Sequence, residues 1–227
     1  MGIVADHIKS ILEELPSNVK LIPISKTMPN DKLIDAWEAG YKVFGENKVQ
    51  EIIRKHEQLP KDIEWHMVGH LQTNKVKFLA PFVHLIHAVD SLKLLRIMDH
   101  EAAKSGIPLK GLLQIHIARE ETKFGFSEEE VLDFLNSGEA QQLKHVHIVG
   151  LMGMATNTNN FKIVRKEFNG LYHFHEKLKN EFFKDIPSFR ELSMGMSGDY
   201  KIAIEEGSTM FRVGSLIFAP RSNKTLS

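Results

Sequence analysis

The sequence predicts a closed (β/α)8 barrel, a TIM barrel, with one extra helix at its N-terminus. Three observations carry this. Eight short apolar runs rich in β-formers recur along the 227 residues. A helical segment separates each run from the next. No linker, low-complexity tract or charge block divides the chain. Alternating β and α elements build a parallel sheet, and eight strands in a chain of this length suit a barrel. One domain spanning 1–227 is therefore expected. The competing open, doubly wound sheet usually has fewer strands, and no G-x-G-x-x-G turn follows the first strand here.

In chain order, residues 3–15 come first. Ile3, Ile8, Ile11, Leu12 and Leu15 recur at helical spacing. The first strand is KLIPIS (20–25), ended by Lys26, Thr27 and the turn-forming Met28, Pro29 and Asn30, with a helix over 31–39. YKVFG (41–45) leads to a helix over 47–57, and WHMVG (65–69) to one over 71–80. VHLIHAV (83–89) and GLLQIHI (111–117) precede helices over 91–105 and 127–137. HVHIVGLM (145–152) precedes a helix over 161–184, and FRELSMG (189–195) one over 198–206. FRVGSLIF (211–218) is the eighth strand.

Composition narrows the function. Hydrophobic residues make up 42%, enough for a sizeable core, and acidic and basic side chains balance at 29 each. Such a balance favours neither nucleic acid nor an anionic membrane as partner. With no cysteine, disulfides, thiolate zinc sites and thiol catalysis are excluded. The N-terminal segment lacks the basic start, apolar core and cleavage site of a signal peptide. Asp6 stands where a myristoylation motif wants Ser or Thr. Nowhere do 18 apolar residues run uninterrupted. A soluble, cytoplasmic protein is expected.

Active groups of such barrels sit at the C-terminal ends of the strands. After the seventh run, SMGMSGD places a Gly/Ser turn before a helix, and Ser197 adds a hydroxyl. VGS (213–215) offers a second set of glycine-flanked amides around Gly214 and Ser215. Amides at a helix start favour an anion, and the loops after strands 7 and 8 are the usual phosphate site of the class. Plain helix capping by Ser197 or Asp199 is the alternative. Lys26 ends the first strand. An amine there, desolvated in a water-poor mouth, loses its proton more readily and attacks aldehydes. A phosphate cradle across from such a lysine describes a site for pyridoxal 5′-phosphate, PLP. Arg212 alternates with Phe211 and Val213, so it points into the mouth if they face the helices. There it binds an anion, meets a ring nitrogen, or pairs with Glu46, Glu191 or Glu206.

Five motifs, ISKT (24–27), FGENKVQE (44–51), WHMVGHLQTNK (65–75), ETKFGF (121–126) and LSMGMSGDYKIAIEEGSTMFRVGS (192–215), resemble those of the PLP homeostasis proteins, the YggS/PROSC family. The likeness runs in order along nearly the whole chain. It implies a barrel like the N-terminal domain of alanine racemase, holding PLP covalently as an aldimine on Lys26. It places Asn47 beside the cofactor, Met196, Ser197, Gly214 and Ser215 around the phosphate, and Arg212 at the pyridine nitrogen. The sequence departs from the family pattern at His116 and Ser215, where Asn and Thr are frequent. The chain ends shortly after the eighth strand, so the C-terminal β-domain of alanine racemase is not expected. A monomer that carries PLP, with apo PLP-dependent enzymes as recipients, is the implied function. A single-domain racemase using Lys26 and water or Tyr200 is the alternative, and a sugar-phosphate barrel a more distant one.

Other signals are weaker. Twelve histidines include His145, His147, His173 and His175, but zinc needs three or four converging ligands, so no metal is expected. His66, His70 and Lys75 flank the third strand and its helix. Met152, Met154, Met194, Met196 and Met210 cluster at strands 6–8 as pliable packing.

Overall fold

The computed structural model describes residues 2–120 and 124–218. The first part of the ETKFGF motif, residues 121–123, lies outside the described residues, as do residues 219–227. The strands are β1 (Lys20–Pro23), β2 (Val43–Glu46), β3 (Glu64–Met67), β4 (Leu85–Val89), β5 (Leu109–Ile115), β6 (Val146–Gly153), β7 (Glu191–Ser193) and β8 (Met210–Val213). They form one parallel sheet in the order β1-β8-β7-β6-β5-β4-β3-β2. A parallel bridge between Ile24 and Gly45, with Ser25 N–H donating to Gly45 O at 3.0 Å, brings β1 against β2 and closes the barrel.

The helices are α1 (Ile3–Glu13), α2 (Asn30–Glu38), α3 (Val49–Gln58), α4 (Val76–Leu79), α5 (Leu92–Ser105), α6 (Glu128–Asn136), α7 (Phe161–Glu181), α8 (Tyr200–Glu205) and α9 (Ser215–Phe218). Helices α2 to α8 follow their strands in turn, as expected. Most boundaries shift by one to three residues from the sequence reading, and two elements differ more. The expected helix over 71–80 is a 3-10 turn, Thr73–Lys75, followed by the single turn of α4. The expected strand over 211–218 stops at Val213. At Gly214 the chain turns helical, its carbonyl accepting from Ile217 and Phe218 N–H at 3.1 and 3.0 Å, and SLIF forms α9. The extra helix α1 is held by Asp35 of α2, whose Oδ2 accepts from Val4 N–H at 3.0 Å and supplies one of the partners a helix start lacks.

Side chains alternate along each strand, which splits the core in two. Leu21, Phe44, Trp65, Leu113 and Phe211 face outward into the large core beneath the helices. Ile22, Leu85, Leu112, Met152 and Met210 face the axis and form a small inner core. β6 accommodates a register shift against β5 through Gly150. Its φ is +152°, and a Cβ there would lie 1.7 Å from Glu191 O, so only glycine fits.

Candidate functional site

At the C-terminal ends of the strands lies a cavity of about 540 Å³, within the size range of small-molecule sites. Lys26, Asn47, Met196, Ser197, Arg212, Gly214 and Ser215 all line it, so the structure brings together the residues singled out by sequence. Ile24, Met28, Val68, Met154 and Phe218 complete the wall with apolar surface.

The loop carrying Lys26 is anchored from below. Fully buried Lys55 of α3 donates to Ser25 O at 2.7 Å and to Glu46 Oε1 at 2.6 Å. Ser25 Oγ donates to the same Glu46 oxygen at 2.6 Å. Thr27 has φ +63°, a left-handed conformation unusual for this residue type. It is held by Thr27 N–H donating to Glu51 Oε1 at 2.6 Å and by Met28 N–H donating to Ser25 O at 2.9 Å. Lys26 itself is exposed at the mouth, not desolvated as the sequence reading expected, because the strand ends before it and the loop turns outward.

The opposite wall comes from the loops after β7 and β8. Met196 N–H is committed to Asp199 Oδ1 at 2.6 Å, which closes the loop ahead of α8. Asp199 therefore serves the loop, and its side chain makes no cap bond to the helix. Gly214 lets the chain pass close to β1: a Cβ there would meet Ile24 O at 3.1 Å. Asn47, which follows β2, keeps its Oδ1 buried without a hydrogen-bond partner. An orphaned acceptor on a cavity wall is a position for a ligand donor.

Arg212 rises from β8 toward the cavity, while Phe211 and Val213 face the helices as expected. None of Glu46, Glu191 or Glu206 holds it. Its NH1 donates to Ser193 O at 3.0 Å and to Ser193 Oγ at 2.6 Å, and its NH2 to Gly153 O at 3.2 Å. Burial pulls its pKa down to about 10, against the nearby Asp199 charge. Below it the bonds continue along the barrel axis. His87 Nδ1 lies 2.8 Å from Ser193 Oγ, and His87 Nε2 lies 2.8 Å from His66 Nδ1. Burial drives His66 down to about 3, helped by His84 and Lys20, and drives His87 well below its ordinary value.

The other sequence candidates lie elsewhere. Tyr200 stacks on Phe211 in the outer core, Tyr41 donates to Leu21 O, and Tyr172 packs against that core; none of the three lines the cavity. His70 pairs with Asp90 at 2.7 Å and stacks on Phe124. His116 Nε2 meets Glu120 O at 2.9 Å, and Lys75 sits over the Phe78 ring. Sequence reasoning missed Lys55, His87 and Ser193. Each contacts the site from beneath, through distant strands or a helix, and no local pattern marks them.

An amine on one wall, hydroxyl and glycine loops on another and a guanidinium at depth together suit a small phosphorylated aldehyde. The family model of the alanine racemase N-terminal domain matches residues 3–222, which sets the class of the barrel. A pyridoxal phosphate homeostasis protein of Aquifex aeolicus is 38% identical over 203 residues, 89% of this chain and 87% of that protein. One of Schizosaccharomyces pombe is 35% identical over 95% of this chain and 91% of its own. The solved structure of PipY from Synechococcus elongatus without PLP has a TM-score of 0.89 at 34% identity, covering 95% of this chain and 99% of that one. The same protein with PLP bound gives 0.86 at 33%, with the same coverage. The chain belongs to the pyridoxal phosphate homeostasis proteins, within the alanine racemase N-terminal domain family.

Proposed function

We propose that this protein binds PLP in the C-terminal cavity and serves cofactor homeostasis as a carrier, without a dedicated reaction of its own. The observation that carries the reading is the meeting of Lys26, the Ser197 and Gly214–Ser215 loops and Arg212 on one cavity wall set. The orphaned Asn47 Oδ1 on the wall and the close passage of the chain at Gly214 support the reading. PipY, a third identical, has been solved with PLP bound.

PLP brings an aldehyde that condenses with an amine, a phosphate dianion and a pyridine ring that can withdraw electrons. Lys26 Nζ supplies the amine, free to swing because the side chain is exposed. Ser197 and Ser215 supply hydroxyl donors and Gly214 close backbone approach for the phosphate. Arg212 would meet the ring nitrogen. A guanidinium only donates, so a nitrogen held by it would stay unprotonated and the ring would be a weak electron sink. No tyrosine lines the cavity to act as a second base. Both features favour holding the cofactor over racemising an amino acid.

Purified protein given PLP should turn yellow, and borohydride should fix the cofactor onto a peptide containing Lys26. Lys26→Ala should stay colourless. Wild-type protein that takes up no PLP would overturn the reading. Mixing the loaded protein with an apo PLP-dependent enzyme should restore that enzyme's activity. Incubation with L-alanine in deuterated water separates carrier from racemase: rapid exchange of the α-hydrogen would establish the enzyme.

A further inference from the structure

The barrel has a second opening, at the N-terminal ends of its strands. A cavity of about 490 Å³ lies there, with Glu64, His66 and His84 on its wall. Glu64 and His66 are two apart on β3 and share its inward face. His84 immediately precedes β4, where its N–H bonds Trp65 O at 2.9 Å and so fixes it beside β3. One carboxylate oxygen and two imidazole nitrogens lie within 4.8 Å of one another. The His66 and His84 rings are nearly parallel, 12° apart, with centroids separated by 5.4 Å. His84 Nε2 lies 3.6 Å from Glu64 Oε2, a gap that a small cation can bridge.

From this geometry we propose that Glu64, His66 and His84 form a binding site for a zinc-class divalent metal ion at the N-terminal mouth. Two imidazoles and one carboxylate are a common zinc ligand set, with the fourth position left to water or an exogenous group. The cavity provides room for that fourth ligand. His66 is also oriented as metal ligands are. Its Nδ1 is engaged by His87 Nε2 at 2.8 Å, which leaves Nε2 for the metal. Beyond the ligand set the wall is cationic. Lys20 and Arg190 both lean on Glu191, at 3.2 and 3.6 Å, and Lys110 lines the same cavity. Such a surround favours an anion, hydroxide or carboxylate, as the fourth ligand.

The ligands come from β3 and from the residue just before the neighbouring β4, and neither His145/His147 nor His173/His175 takes part, so sequence spacing could not reveal the site. Metal on His66 Nε2 would keep the His66 proton on Nδ1, donating to His87. His87 would then carry its own proton on Nδ1 and donate to Ser193 Oγ, which also accepts from Arg212. A metal at one mouth thus sets the direction of every hydrogen bond leading to the other.

The test is Co²⁺ titration of the full-length, chelator-stripped protein, followed by visible absorption and by competition with Zn²⁺. Wild type should bind one equivalent that Zn²⁺ displaces. Glu64→Gln and His84→Ala, both at partly exposed positions, should each weaken binding by at least about tenfold, with far-ultraviolet circular dichroism unchanged. No saturable Co²⁺ binding by wild type would overturn the proposal. So would wild-type affinity in either variant.

Discussion

Lys55 Nζ sits 2.6 Å from Glu46 Oε1, and neither side chain has any exposed surface. Burial pushes the Glu46 carboxyl up, while Lys55 and the Ser25 hydroxyl pull it back. The pair spans α3 and the end of β2, and its third contact is the carbonyl just before Lys26. Removing one partner of a buried pair strands the other, at a cost of about 3–5 kcal/mol. Lys55→Met should therefore lose stability in that range by urea unfolding. Pairing it with Glu46→Leu should return part of the loss, since both charges of the pair are then gone while Glu51, 3.0 Å from Lys55, still loses its partner. A single variant as stable as wild type would contradict this account.

Gly214→Ala tests the close passage of the β8 loop past β1. The new Cβ would sit 3.1 Å from Ile24 O, so the backbone must yield by a few tenths of an ångström. The strain falls on the cavity wall and not on either core. PLP affinity should drop about tenfold, equivalent to ~1.4 kcal/mol, measured by absorbance titration. The stability measured by urea unfolding should change by under about 1 kcal/mol.

Most of the barrel is legible in the sequence because its signals are local. Apolar runs of strand length alternate with helical spacing, and β1 to β7 and most helices fall within a few residues of expectation. SLIF misled because an apolar run after a strand reads as more strand, although Gly214 frees the chain to turn into α9. The rim of the site was legible for the same local reason: Lys26, Ser197 and the Gly214–Ser215 pair follow strand ends. Arg212 was legible too, by alternation along its strand. What supports it was not: Arg212, Ser193, His87 and His66 stand on four strands and meet only because the sheet closes. Lys55 reads as a solvated helix charge until α3 packs it against Glu46.

Arg212→Met would leave Ser193 O and Gly153 O without their guanidinium donor. Each buried acceptor left unpaired costs about 1–3 kcal/mol. A loss of roughly 2–6 kcal/mol is expected for the two together. Arg212→Lys should recover little of it, because one ammonium lacks the planar fork that reaches both strands at once. Urea unfolding of both variants without PLP separates this structural role from any contact with the cofactor. Arg212→Lys with wild-type stability would show that a single charge suffices.

Acid should destabilise the protein well above the range where ordinary carboxylates titrate. Burial holds His66 and His87 neutral in the folded state, with His66 at about 3, and lowers His175 as well. In the unfolded chain each returns to about 6.5. Below that pH the unfolded state binds protons that the folded state refuses, so stability is full above about 6.5 and falls as pH drops toward the folded values. Each fully protected histidine contributes a slope of up to ~1.4 kcal/mol per pH unit. Glu46 acts with the opposite sign, because its raised pKa lets the folded state take up a proton early, and offsets at most one histidine. A net loss of about 1–3 kcal/mol between pH 7.5 and 5.5 is expected in chelator-treated protein. Urea midpoints across that range measure it. His175→Leu, which touches neither cavity, should flatten the slope by its own share. A stability curve level down to pH 5.5 would mean that water reaches the axial histidines.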